Sequence, residues 1–173
     1  PYGAAIEVPV RDFAGLGDPF LAETRSARLV ASLVHGHLLR TSGGEIVPEL
    51  ATTTGTWSGD TLTLTLADTA RFHDGRVVEV SDVIASWRRL QSLGDQSPVG
   101  RLAQAVQVSD AGHRNVAFMV RGAAVDEVRA LLARPEVAVL SRGLVGVGCG
   151  AFKPTPGDGD RRTLVAWDGH AQG

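Results

Sequence analysis

The side chains equipped for acid–base, metal or nucleophilic chemistry are few and scattered along this sequence. His35 and His37 are two residues apart, His73 precedes Asp74, and Cys149 is the single cysteine. Two histidines at i and i+2 on a helix point in different directions, so they chelate one metal poorly unless the helix has ended before them. His73-Asp74-Gly75 reads as a turn whose aspartate accepts backbone N–H groups. His113 and His170 stand away from acidic clusters. One cysteine excludes an internal disulfide and a cysteine-based zinc site, and a buried, inert thiol is its default state. No G-x-S-x-G elbow marks a nucleophilic serine. Gly146-Val147-Gly148-Cys149-Gly150 superficially looks like a phosphate cradle. A P-loop continues into Lys-Ser/Thr and a helix, whereas here Phe152-Lys153-Pro154 follows. The glycines are read instead as sharp turns in a flexible stretch over residues 143–150. These residues argue against an enzyme and call for no metal and no cofactor.

The elements that must carry them belong to a chain of 173 residues, 43% hydrophobic and 21% charged, with a net charge of -2. That is the composition of one globular domain able to bury a sizeable core. It lacks the basic excess of a nucleic-acid binder. No run of 18 apolar residues is present, so no membrane-spanning helix is expected. The chain opens on Pro1 without a Met, and residues 168–173 do not read as a finished terminus. We expect a processed chain or one cut from something longer.

Residues 4–10 read as a short edge strand, and residues 11–19 as a loop. A helix follows, capped by Thr24 or Ser26, with Leu29, Val30, Leu33, Val34 and Leu38 at helical spacing. Residues 41–44 form a turn, and 46–50 are extended. The alternation Thr61-Leu62-Thr63-Leu64-Thr65-Leu66 predicts a strand with three leucines on one face. Gly59-Asp60 turns the chain into it, so residues 52–57 make a weak hairpin partner. Residues 81–93 predict a helix capped by Ser81 and lined by Val83, Trp87 and Leu90. A helix-like stretch at 99–106, a strand at 116–120, a helix at 124–133 stopped by Pro135, a strand at 137–140 and a strand at 163–167 complete a mixed α/β pattern. Trp57, Trp87 and Trp167 are read as anchors in the core or on its surface.

Seven pieces in order resemble the family 5 extracellular solute-binding proteins of peptide and nickel ABC importers. Leu16-Gly17-Asp18-Pro19 resembles the family's "LDP" segment, and His35-Gly36-His37-Leu38-Leu39-Arg40 its "YEGLVR" stretch. Gly44 to Ala51 is similar to "DGxIVPxLA". Trp57, the alternating strand and Phe72-His73-Asp74-Gly75 resemble "SW…TFxLRxGVKFHDG". Val80 to Arg89 resembles "TAEDVVFSLER", Val147 to Lys153 "VGTGPYK", and Leu164 to Gly173 "LERNPDYWGG". The departures are His35 for a tyrosine, Cys149 and Ala151 for a threonine and a proline, and a short stretch between Leu140 and Val147.

The resemblance implies one lobe of a type 2 periplasmic-binding-protein fold, a mixed sheet with flanking helices and a β-hairpin subdomain. It makes residues 1–173 a partial first lobe, with the second lobe absent from this chain. Function then follows as binding of a small, peptide-like solute for an ABC importer, outside the cytoplasm or in the periplasm. Ligand sits between two lobes in this family and is trapped as they close. The first lobe's contribution is expected after "LDP", from Phe20, Glu23, Thr24 and Arg25, with Trp167 as a ligand-facing aromatic at the lobe boundary. The partners implied are the solute, the importer's membrane subunits and the missing lobe; nucleic acid is not among them. A different reading remains open, a sensor or protein-interaction lobe fused to a regulator, or a homodimer through the exposed lobe face.

Overall fold

Strict alternation in Thr61–Thr65 gives the molecule its firmest element, and the computed structural model builds the rest around it. The structure describes residues 5–7, 18–120, 125–155 and 163–169. In chain order the elements are β1 (Ala5–Glu7), α1 (Arg25–Val34), β2 (Leu39–Ser42), β3 (Glu45–Pro48), β4 (Thr56–Ser58), β5 (Thr61–Thr65), α2 (Val80–Leu93), α3 (Gly100–Gln104), β6 (Val106–Gly112), β7 (Asn115–Val120), α4 (Val125–Leu132), β8 (Phe152–Pro154) and β9 (Thr163–Ala166).

They form three sheets: β1-β9-β8, the hairpin β2-β3, and β4-β5-β7-β6. The expected α/β class and the hairpin subdomain are present. The expected mixed sheet takes a narrower form, because every strand pair among the described residues is antiparallel. Leu62, Leu64 and Leu66 are all buried, and β5 pairs with β7 so that Leu62 faces Phe118 and Leu64 faces Val116. Each such leucine contributes roughly 2 kcal/mol of burial. Helix α2 lies against this face through Val83, Trp87 and Leu90. Trp87 meets Phe118 edge to face at 5.2 Å, and its indole N–H donates to the Val106 carbonyl at 3.2 Å.

Several boundaries differ from those expected. Thr24, not Ser26, caps α1, its hydroxyl oxygen accepting from the Ala27 N–H at 3.1 Å. Leu29, counted with the apolar stripe, faces outward, and Ala27, Val30, Ala31 and Val34 make the buried side. Ser81 lies inside α2; the cap is Glu79, whose N–H is taken by the Asp82 carboxylate at 2.9 Å. Residues 137–140 are buried yet join no sheet, because Val139 N–H goes to the Gly36 carbonyl and Leu140 N–H to Ser86 Oγ. Residues 143–150 are not a loose loop at their far end. Gly148, Cys149 and Gly150 are buried, and a Cβ on Gly148 or Gly150 would strike the Val34 or Leu33 carbonyl at the end of α1. Close backbone approach, and not sharp turning, is what those two glycines serve. The parts of the expected first strand at 4 and 8–10, residues 11–17 of the loop expected over 11–19 (with Leu16-Gly17 of the "LDP"-like segment), Ala124, His170 and the end of the last "LERNPDYWGG"-like piece lie outside the described residues.

Candidate ligand-binding site

The segment expected to meet ligand is held by its own chemistry. Asp18 caps a 3-10 turn at Pro19–Leu21, accepting from the Phe20 N–H at 3.1 Å. The same carboxylate takes both terminal nitrogens of Arg89, reaching across from α2. The Arg89 guanidinium also sits over the Phe20 ring, 5.2 Å from its centroid. Phe20 is 1% exposed and packs in the main core. Its side chain is therefore committed to holding the segment and offers no face to a ligand, which corrects the expectation for that residue. Glu23, Thr24 and Arg25 are exposed at the start of α1.

Trp167 lies elsewhere. Its half-buried ring meets His73 edge to face at 4.9 Å, and the backbone N–H of Trp167 donates to the Ala151 carbonyl at 2.9 Å. His73 is fixed in turn, one ring nitrogen lying 3.0 Å from the Gly150 carbonyl. Asp74 does what a turn aspartate should, accepting from the Arg76 N–H at 3.0 Å. Among the described residues no hydrogen bond, ion pair or ring contact joins Trp167 to the Phe20–Arg25 segment. The structure leaves the expected site residues in two groups, at opposite ends of α1's neighbourhood.

A cleft of about 570 Å³ with a mixed polar and apolar lining has no counterpart in the sequence reading. Ser32, His37, Arg40, Thr41, Glu49 and Pro135 line it. His37 Nδ1 lies 3.4 Å from the Glu49 carboxylate, and both side chains are buried. Glu136, 1% exposed, is paired with Arg28 at 2.7 Å and Arg134 at 3.4 Å. A glutamate set between Pro48 and Leu50 in an otherwise apolar stretch was the one sequence sign of it.

Cys149 is fully buried, and burial pushes its thiol up to about 12, so it stays protonated and unreactive. Helix α1 ends at Val34, so the geometric objection to a histidine pair lapses; still, no group of three or more potential metal ligands gathers among the described residues. Nor is any described helix long and apolar enough to cross a membrane.

His35 carries a testable consequence. It is 3% exposed, and its Nδ1 has no hydrogen-bond partner. Burial first, then the neighbouring His37 and His73, bring its pKa down from 6.5 to about 4, with Asp18 opposing. Between those two values the unfolded chain takes up a proton that the native chain refuses. Stability should therefore fall as pH drops from 6.5 toward 4. His35→Phe removes this contribution, so the variant gains on the wild type at acid pH relative to neutral pH in thermal melts. An unchanged difference between the two pH values would show that His35 is not buried in the neutral form.

No curated protein matches the sequence. Solved structures do. The pheromone receptor PrgZ, solved for its mode of peptide binding, superposes with a TM-score of 0.80 at 18% identity, over 96% of this chain and 39% of its own. The oligopeptide-binding protein AppA of Bacillus subtilis, in complex with a nonapeptide, gives 0.76 at 17% identity, over 91% of this chain and 35% of its own. NikZ of Campylobacter jejuni, in complex with Ni(L-His), gives 0.69 at 17%, over 84% of this chain and 31% of its own. The chain thus spans less than two fifths of the length of these structures, and the likeness is one of fold. The sequence profile described as bacterial extracellular solute-binding proteins, family 5 Middle, matches residues 45–160, more than half of the chain. On that match the chain belongs to the family 5 bacterial extracellular solute-binding proteins, a family of binding proteins and not of enzymes.

Proposed function

We propose that this chain supplies one wall of a cleft that takes a small, peptide-like solute and serves an ABC importer outside the cytoplasm, its opposing wall contributed by a second lobe. The observation that carries this is the pinned start of α1. The Asp18–Arg89 pair and the buried Phe20 fix a segment whose next residues, Glu23, Thr24 and Arg25, point polar groups outward. An acid and a base on a rigid support suit the charged ends of a zwitterionic peptide, since charge-assisted hydrogen bonds are roughly twice as strong as neutral ones. Membership in a solute-binding family and fold likeness to peptide-bound structures support the ligand class. Trp167 is assigned a flat apolar contact at the cleft's edge.

One wall buries one side of a ligand and pays most of the ordering cost, so affinity should be low. Calorimetry of this 173-residue chain with short zwitterionic peptides should show binding weaker than micromolar. In a protein that carries both lobes, Arg25→Glu and Glu23→Lys should each weaken binding about ten-fold. Micromolar or tighter binding by the lone chain, or full affinity in both variants, would sink the assignment.

A further inference from the structure

His37 lies just beyond the end of α1, at the base of the β2-β3 hairpin. The Leu50 N–H donates to its carbonyl at 2.9 Å, so the residue is stitched across the hairpin's two legs. Its ring is 3% exposed. Nε2 lies 3.1 Å from the Pro135 carbonyl, and Nδ1 lies 3.4 Å from Glu49 Oε2. A carbonyl oxygen only accepts, and so does an ionised carboxylate. With Glu49 ionised, both ring nitrogens face acceptors, and both are matched only when both carry hydrogen. Neutral imidazole has one N–H; imidazolium has two.

The surroundings agree. From the leg after β3 the ring faces Glu49, and the charge of Glu136 in the turn after α4 also acts on it. Glu136 is itself paired with Arg28 of α1 and Arg134. On its own segment the neighbour is His35, held neutral at ordinary pH. Burial, the largest single cause, pulls the His37 pKa down; the Glu49 hydrogen bond and charge, the Pro135 carbonyl and Glu136 together raise it above 6.5.

We infer that His37 is held as a buried imidazolium, and that its proton latches the base of the β2-β3 hairpin, through Glu49, to the Pro135 turn after α4. Losing that proton turns Nδ1 into a lone pair facing a carboxylate, and the latch opens. His37, Glu49 and Pro135 all line the 570 Å³ cleft, so the cleft's floor answers to pH. The device stands apart from the proposed ligand and from Glu23–Arg25. Its sign is opposite to that of His35. The latch is whole below 6.5 and is lost as pH rises through the raised value, so alkaline pH reads His37 and acid pH reads His35.

The test is side-chain nitrogen NMR on the full chain from about pH 5 to about pH 10. Both His37 nitrogens should resonate as protonated at neutral pH and titrate with a midpoint above 6.5. Glu49→Gln, which keeps the shape and removes the charge, should lower that midpoint by about one pH unit. A single neutral tautomer at neutral pH, meaning that the proton rests on Glu49 or is absent, overturns the inference. So does a midpoint that Glu49→Gln leaves in place. If Glu49→Gln fails to fold, the wild-type spectrum alone decides.

Discussion

Asp82→Ala should cost the protein about 3 to 5 kcal/mol, the loss typical of stripping one partner from a buried ion pair. Asp82 is 1% exposed, and each of its oxygens is used twice. Oδ1 accepts from Arg76 Nη2 at 2.9 Å and from the Arg142 N–H at 2.8 Å. Oδ2 accepts from Arg76 Nη1 at 2.9 Å and from the Glu79 N–H at 2.9 Å. Arg76 carries on to Ser141 Oγ at 2.8 Å, and Ser86 ties the next turn of α2 to both Asp82 and Leu140. The carboxylate therefore joins the start of α2, the strand-like 76–79 segment and the turn at 140–143. Alanine would leave a partly buried guanidinium without its counter-charge and two backbone N–H groups unmatched. Urea unfolding measures the loss directly. Adding Arg76→Met to Asp82→Ala should recover part of it, because the stranded cation goes too. A loss under about 1 kcal/mol would mean that water or another acceptor replaces the carboxylate.

What the sequence disclosed and what it hid divide along the same line. Local rules were readable. The Thr/Leu alternation of β5, a hydroxyl cap at Thr24 or Ser26 and the apolar side of α2 each depend on neighbours within a few residues. Features set by tertiary partners were not. Residues 137–140 have a strand's composition, but their N–H groups are taken by Gly36 and by Ser86 Oγ, so no ladder forms. Strand β6 was missed because it is mostly exposed and its polar Gln107, Ser109 and Asp110 mask its period. The cap of α2 was misplaced because Asp82 reaches back from the third helical position to Glu79, and that contact outranks the serine hydroxyl nearby.

The candidate site follows suit. Glu23, Thr24 and Arg25 were legible as a polar helix start, but Phe20 looked equally available until its packing was seen. The His37–Glu49–Pro135 arrangement had no local signature. Its members lie on three separate segments, and only the fold makes both imidazole nitrogens face acceptors. A histidine two residues from another invites a metal reading from sequence; burial and the nearby Glu49 carboxylate turn it into a proton-bearing joint.

Gly148→Ala is the second large loss, about 3 kcal/mol or more, at the high end of what overpacking costs. The backbone at this position is not in the left-handed region, so alanine suffers no torsional strain there. The objection is contact. A Cβ on Gly148 would collide with the carbonyl oxygen of Val34, and it would come within 2.9 Å of the His73 ring. Neither obstacle yields easily. The Val34 carbonyl accepts the Gly150 N–H at 2.9 Å, and His73 is held by the Gly148 carbonyl, the Gly150 carbonyl and Trp167. Relief would require the 148–150 segment to lift off the end of α1, breaking those bonds together. That movement would also carry Trp167 away from His73, so the same variant should change tryptophan fluorescence before it unfolds. Chemical denaturation and native-state fluorescence of Gly148→Ala decide the matter. A loss below about 1 kcal/mol with an unchanged spectrum would show that the end of α1 can retreat, and that the glycine is a convenience of this packing and no requirement of it.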